Sequence, residues 1–108
     1  MSSTTRPAAG MHHPPHPGEV LRGLYLEPEN LKIGLVAKAI GVSRTSLSQF
    51  VNGHTRLSLD MALRLAGAFR TSPEVWLSLQ HQHDLWRARK GKSRPVVRPL
   101  IGRKAAAG

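Results

Sequence analysis

The sequence predicts an all-α fold of five short helices, and three observations carry that prediction. Apolar residues recur at intervals of three and four positions, the spacing that places them on one face of an α-helix. Serine, proline and glycine residues stand where such stretches begin and end. Of the 108 residues, 40% are hydrophobic but only 5% are aromatic, so a single domain with a modest, largely aliphatic core is expected.

The first two helices are separated by a proline break. The first should begin at Pro17, because proline and an acid such as Glu19 suit an opening turn, and Pro28 should end it. Its apolar stripe comprises Val20, Leu21, Leu24 and Tyr25. The stripe of the second helix comprises Ile33, Val36, Ala37 and Ile40.

Residues 41–53 (GVSRTSLSQFVNG) predict a tight turn, a third helix and a glycine stop. Ser43 is the expected N-cap, and Gly41 and Gly53 suit the backbone conformations of the turn and the helix end. One face of this helix carries Leu47, Phe50 and Val51, and the other carries Thr45, Ser48, Gln49 and Asn52. Helices two and three therefore predict a helix-turn-helix that presents amides and hydroxyls to DNA. An ordinary surface helix is the alternative interpretation of the polar face.

Two longer helices follow. Ser58 should cap the fourth, whose apolar face comprises Leu59, Ala62, Leu63, Ala66 and Phe69. Ser72 should cap the fifth, which is expected to run from about Pro73 to Lys90 with Val75, Trp76, Leu79, His83 and Trp86 along one side. Leu77 and Leu85 fall elsewhere on this helix, which indicates either a dimer contact or a wide core stripe.

The predicted organisation is a flexible arm at 1–16, a helix-turn-helix domain at 17–90 and a basic disordered tail at 91–108. The arm is rich in proline and small polar residues and should not order itself, and Met11 is an alternative start. In the tail, the apolar pairs at 96–97 and 100–101 leave open the alternative of folding against a partner.

The net charge of +10 favours a nucleic-acid partner, but the charge is unevenly placed. Residues 17–86 carry seven Lys/Arg and six acids, whereas eight basic residues and no acid follow from Arg87 onward. The tail is therefore expected to add salt-sensitive, non-specific DNA affinity.

Several function classes are disfavoured by composition. No apolar run approaches the roughly 20 residues that span a bilayer, so no membrane partner is expected. The absence of cysteine excludes disulfides and thiolate metal sites and is typical of a cytoplasmic protein. His12, His13 and His16 match no metal-site spacing, so neither metal nor cofactor is expected. Without a nucleophile or carboxylate pair beside a histidine, an enzyme is disfavoured, and Asp84 with His81 and His83 is interpreted as helix surface.

Seven runs together carry a family resemblance: 15–21 (PHPGEVL), 25–28 (YLEP), 41–43 (GVS), 52–53 (NG), 56–66 (RLSLDMALRLA), 71–80 (TSPEVWLSLQ) and 84–86 (DLW). On these runs the chain, over about Pro14–Arg89, closely resembles the HigA-type antitoxins of the helix-turn-helix superfamily that includes the phage repressors. The resemblance implies a lambda-repressor-like five-helix domain, usually a homodimer, that represses its own operon. It also implies a partner toxin of the RelE- and HigB-like class, which cleaves translated mRNA.

Carried over residue by residue, the resemblance implies two sets of DNA contacts. The base-contacting set is Arg44, Thr45, Ser46 and Gln49, in which Arg44 suits guanine and Gln49 suits adenine. The phosphate-contacting set is Lys38, Ser48, Asn52 and Arg56.

The sequence departs from the family pattern at two places, and these departures leave alternative functions open. Gly34 and Leu35 replace polar residues at the start of helix two, and the basic tail disfavours docking of a basic toxin. The alternatives are a standalone transcriptional regulator without a toxin, a toxin-binding protein in which DNA binding is secondary, and a sequence-indifferent nucleic-acid binder driven by the tail.

Overall fold

The computed structural model describes residues 13–91 and 95–102, which contain five α-helices and one π-helical turn and no strand. The all-α, five-helix prediction is confirmed. No helix in this part of the chain is long and apolar enough to cross a bilayer. The helices are α1 (Pro17–Leu21, continued by the π turn Arg22–Leu26), α2 (Ile33–Ile40), α3 (Arg44–Val51), α4 (Leu59–Phe69) and α5 (Pro73–Lys90).

The helix boundaries follow the predicted capping residues. The hydroxyls of Ser43, Ser58 and Ser72 each accept a hydrogen bond from the backbone N–H three residues later, at 3.0, 3.0 and 3.2 Å. Gly41 and Gly53 adopt φ of 80° and 79°, a left-handed conformation that glycine enters without steric cost. These local features fix where α3, α4 and α5 begin and where α2 and α3 end.

One aliphatic core joins all five helices, with Phe50 and Trp76 as its fully buried aromatic side chains. Helix α4 packs on α5, α2 packs on α3, and α1 packs on α3. The core consists of Leu21, Leu26, Val36, Ala37, Ile40, Leu47, Phe50, Val51, Leu57, Met61, Ala62, Leu65 and Trp76.

The predicted stripe of the first helix is wrong at Leu24, which is 67% exposed, whereas Leu26 is buried. The reason is the π turn, in which the Glu27 N–H donates to the Arg22 carbonyl, five residues earlier, at 2.9 Å. A turn with i→i+5 bonds holds more residues than an α turn, so the next core position after Leu21 falls on Leu26.

The predicted face of the fourth helix is rotated in the structure. Leu59 and Leu63 are 61% and 53% exposed, and Met61 and Leu65 face the core instead. Helix α4 carries more apolar residues than one face can bury, so periodicity alone left its rotation ambiguous.

Helix α5 begins and ends where predicted, but its buried side differs. Trp76 is buried, and its Nε1–H donates to the Thr71 hydroxyl at 2.6 Å. Val75 is 52% exposed. The second buried residue of α5 is Gln80, one turn after Trp76, a polar residue outside the apolar pattern. Leu77 packs against the core, which favours a wide core stripe at this position, whereas Leu85 is 40% exposed.

The two predicted terminal segments are described only in part. Residues 13–16 lie against the domain, where the rings of His13 and Trp86 contact each other at a tilt of 37°, with centroids 4.7 Å apart. Residues 95–102 form no helix, and their valines, leucine and isoleucine are exposed. The remainder of the predicted arm (1–12) and of the predicted tail (92–94 and 103–108) lies outside the described residues.

Candidate nucleic-acid interface

Helix α3 has a buried apolar side and an exposed polar side, as its sequence predicts. Leu47, Phe50 and Val51 are at most 4% exposed and anchor the helix in the core. The four side chains predicted to contact bases all lie exposed on the surface of the helix: Arg44, Thr45, Ser46 and Gln49. The first three occupy the opening turn of α3, the part of a recognition helix that meets base edges.

The turn before α3 is held from a neighbouring helix. The Arg64 guanidinium on α4 donates from Nη1 to the Ile40 carbonyl at 2.6 Å, and from Nε to Asp60 at 2.8 Å. A Cβ on Gly41 would lie 2.9 Å from the same Nη1. The φ of 80° at Gly41 favours glycine at the turn, and the Arg64 hydrogen bond ties the helix-turn-helix to α4.

Helix α2 forms fully despite the apolar residues at its start. It begins at Ile33 without a side-chain cap, and Leu35 is 61% exposed. A Cβ on Gly34 would lie 3.8 Å from Cδ of Arg44, so the Arg44 side chain runs across the first turn of α2. Lys38, predicted to meet a phosphate, is exposed further along α2.

Asn52 closes the other end of α3 and is already hydrogen-bonded. Its Nδ2 donates to the Ser48 carbonyl at 2.9 Å and lies 3.4 Å from the Ser48 hydroxyl. Its Oδ1 accepts a hydrogen bond from Nη2 of Arg22, which lies at the start of the π turn. The structure thus brings two predicted phosphate residues together with an arginine that the sequence did not single out.

Arg56 lies in the loop after α3 and forms a salt bridge with Asp84 at 2.5 Å. The other Asp84 oxygen accepts from Nε2 of Gln80 at 2.9 Å, and Oε1 of Gln80 accepts from the Leu57 N–H at 2.7 Å. Because Gln80 is only 4% exposed, this chain of hydrogen bonds fixes the loop to α5. Asp84, interpreted from sequence as helix surface, lies partly exposed on α5 and also orients Arg56.

His16 links the start of α1 to the same loop. Its Nδ1 accepts from the Gly18 N–H at 2.9 Å, so its Nε2 carries the proton and donates to the Thr55 carbonyl at 2.9 Å. Burial lowers the pKa of His16, the Thr55 hydrogen bond raises it, and the nearby His83 lowers it again, with a net lowering. The neutral imidazole is the form that can cap α1.

Three residues that hold this surface in place received no such role in the sequence analysis: His16, Arg22 and Gln80. Histidine is not a favoured N-cap, Arg22 is the one basic residue of its helix, and Gln80 begins the polar run 80–84, so no local pattern identifies them. In the part of the chain that the structure describes, three or more acidic or histidine side chains do not cluster as metal ligands would.

Comparison with known proteins agrees with this geometry. A family model described as Helix-turn-helix matches residues 24–76, from the π turn to Trp76. A regulator of Haemophilus influenzae, known only as an uncharacterised HTH-type transcriptional regulator, is 46% identical over 69 residues. That match covers 64% of this chain, and the chain spans 64% of the length of that relative.

Two further proteins match over most of their own length. The antitoxin HigA-1 of Vibrio cholerae is 38% identical over 86 residues, which cover 78% of this chain and 81% of the antitoxin. The antitoxin HigA of Pseudomonas aeruginosa, solved with the higBA promoter, is 32% identical with a TM-score of 0.72. The match covers 82% of this chain and all of that protein.

Proposed function

The chain belongs to the helix-turn-helix family of DNA-binding regulators that includes the HigA antitoxins, and we propose that it is an operator-binding repressor that doubles as an antitoxin. The family consists of regulators and antitoxins, not of enzymes. The observation that carries the proposal is α3, whose exposed opening turn carries a cation and hydroxyls and no acid. Such a repressor acts where the chromosome lies, so we place it in the cytoplasm.

On DNA, the exposed turn of α3 enters the major groove. Arg44 pairs with guanine and Gln49 with adenine, while Thr45 and Ser46 contact neighbouring bases. Lys38, Ser48 and Arg56 meet the phosphates that border the groove, and Asn52 stands beside them at the C-terminal end of α3. The hydrogen bonds that hold the loop and the turn support this arrangement, because pre-oriented side chains lose less entropy on binding.

A homodimer would present two α3 helices about 34 Å apart, one turn of DNA, to a pseudo-palindromic operator. Exposed apolar side chains on α4 and α5 are available for the contact between two copies. They are Leu59, Leu63, Val75 and Leu85.

The antitoxin role is supported by the named relatives of this chain. The proposed partner is a small toxin of the RelE- and HigB-like class that cleaves mRNA. The second candidate is a standalone transcriptional regulator, and it is favoured by the Haemophilus relative, which carries only the name of a regulator, and by the basic residues after Arg87.

DNA reading is tested by titrating the full chain into the duplex upstream of its own gene and into a shuffled duplex, with fluorescence anisotropy as the readout. The wild type should prefer the upstream duplex. Arg44→Ala and Gln49→Ala should each lose about 1–3 kcal/mol of that preference, or roughly 5- to 150-fold. Arg89→Ala, on the exposed surface of α5, is the matched control. Equal affinity of the wild type for both duplexes contradicts the proposal.

The antitoxin role is tested separately by affinity purification from the native host. We expect an equimolar small protein that cleaves RNA once it is separated from this chain and is inactive within the complex. The standalone regulator is the correct function if operator binding persists while the small proteins encoded beside this gene neither bind the chain nor cleave RNA.

A further inference from the structure

Arg22 differs from the other arginines that pair with groups around α3. It begins the π turn, it is half-buried, and it donates to the amide oxygen of Asn52 at the C-terminal end of α3. Short π-helical segments occur frequently at functional sites. Two open clefts, of about 310 and 210 Å³, lie against the Arg22–Asn52 pair, so solvent and ligands can reach it.

The Asn52 amide is poorly placed to bind a phosphate itself. A phosphate needs hydrogen-bond donors, and the donating Nδ2 of Asn52 points back at the Ser48 carbonyl of its own helix. The acceptor Oδ1 is also occupied, by Arg22. Asn52 can therefore fix a neighbour, but it has little donor capacity to offer.

The Arg22 guanidinium has both the donors and the charge that a phosphate requires. It carries five N–H groups, and its bond to Asn52 runs through Nη2. The salt bridges of the described residues engage Arg56 with Asp84 and Arg64 with Asp60, whereas the partner of Arg22 is a neutral amide. Its positive charge is therefore not cancelled by a salt bridge.

We propose that Arg22 binds a DNA phosphate beside the C-terminal end of α3, and that Asn52 is a positioning residue that holds the guanidinium. This inference rests on the proposed function. An eight-residue helix is about 12 Å long, close to the roughly 12 Å width of the major groove. With the base-reading turn at Arg44 inside the groove, the opposite end of α3 lies near the groove border, where the phosphates are.

The test measures how the affinity of the full chain for its upstream duplex depends on salt. Replacing Arg22 by Gln removes one charge, so the slope of log affinity against log salt should become shallower by about 0.9. Over a fourfold rise in salt, this amounts to a loss of affinity about 3.5-fold smaller than that of the wild type. Arg22→Lys should keep the wild-type slope. Arg70→Gln, the matched control, removes an exposed charge directly after α4 and should change the slope little.

The role of Asn52 is tested by a double-mutant cycle. If Asn52 acts only through Arg22, Asn52→Ala should weaken binding in the wild type but not in the Arg22→Gln background. Additive losses would show that Asn52 binds DNA by itself. A thermal melt of each variant confirms that the domain is folded at the assay temperature.

A wild-type slope in folded Arg22→Gln overturns the inference, even where specific binding is intact. Equal affinity for the upstream and shuffled duplexes would instead contradict the proposed function. In that case the same salt titration on shuffled DNA still tests Arg22, because a phosphate contact requires no particular sequence.

Discussion

Replacing Gly18 by alanine should destabilise the domain, because α1 and α3 touch backbone to backbone at this residue. A Cβ on Gly18 would lie 2.0 Å from the Phe50 carbonyl oxygen and 2.9 Å from Cα of Val51. Neither atom belongs to a side chain that can rotate away. Since non-bonded heavy atoms normally lie about 3.5 Å apart, α1 must withdraw by roughly 1.5 Å.

The cost of this movement follows from what α1 buries. Pro17, Gly18 and Leu21 are all buried, and Leu21 is 0% exposed. Overpacking of this kind costs about 1–3 kcal/mol, and Leu21 loses part of a burial worth about 1.5–3 kcal/mol. Alanine recovers at most about 1 kcal/mol through its helix propensity. The expected net loss is about 2 kcal/mol, or a fall in Tm of roughly 8–16 °C.

Gly67→Ala on α4 is the matched control, because a Cβ there meets nothing within 4 Å. Alanine in a helix interior is favoured over glycine by about 0.5–1 kcal/mol, so this variant should melt at or above the wild-type temperature. Urea and thermal denaturation followed by circular dichroism compare the two. If Gly18→Ala were as stable as the wild type, the close approach of α1 to α3 would be refuted.

Three further outcomes are expected in the same denaturation assays. Since the lowered pKa of His16 favours its neutral form in the fold, its contribution to stability should be complete above about pH 6.5 and be lost as the pH falls through the folded value. His16→Asn keeps a capping oxygen for Gly18 and should flatten that pH dependence; an unchanged curve would contradict the assignment. Gln80→Leu should lower the free energy of unfolding by about 1–3 kcal/mol, because the buried Leu57 N–H loses its acceptor. Wild-type stability of this variant would contradict that role of Gln80. Gly41→Ala should cost about 1–3 kcal/mol, since φ is 80° there, and wild-type stability would exclude strain at the turn.

Helix ends could be predicted from the sequence because the interactions that set them are local. Ser43, Ser58 and Ser72 bond to N–H groups three residues ahead, and the glycines after α2 and α3 need only their own φ. Each signal lies within a few positions of its effect. The helix-turn-helix and the exposed polar side of α3 followed from these signals and from the apolar spacing.

Helix rotation could not be predicted wherever more than one face is apolar or the period changes. A π turn moved the buried position of the first helix from Leu24 to Leu26, and nothing in the spacing marks such a turn. On α4, Met61 and Leu65 compete with Leu59 and Leu63 for the core, and packing against α2 and α5 decides between them. These errors leave the fold correct but change which apolar side chains are available to a partner.

The charge that this surface offers to DNA depends on pairings between residues far apart in the chain. Asp84 lies 28 positions from Arg56 and cancels its charge, whereas Asn52, 30 positions from Arg22, orients a guanidinium without cancelling its charge. The two arginines therefore contribute differently to DNA binding. Arg56 is held in place and can donate hydrogen bonds to a phosphate, but its partner limits its share of the salt dependence. Arg22 combines a fixed orientation with a full positive charge, and a count of basic residues does not distinguish the two.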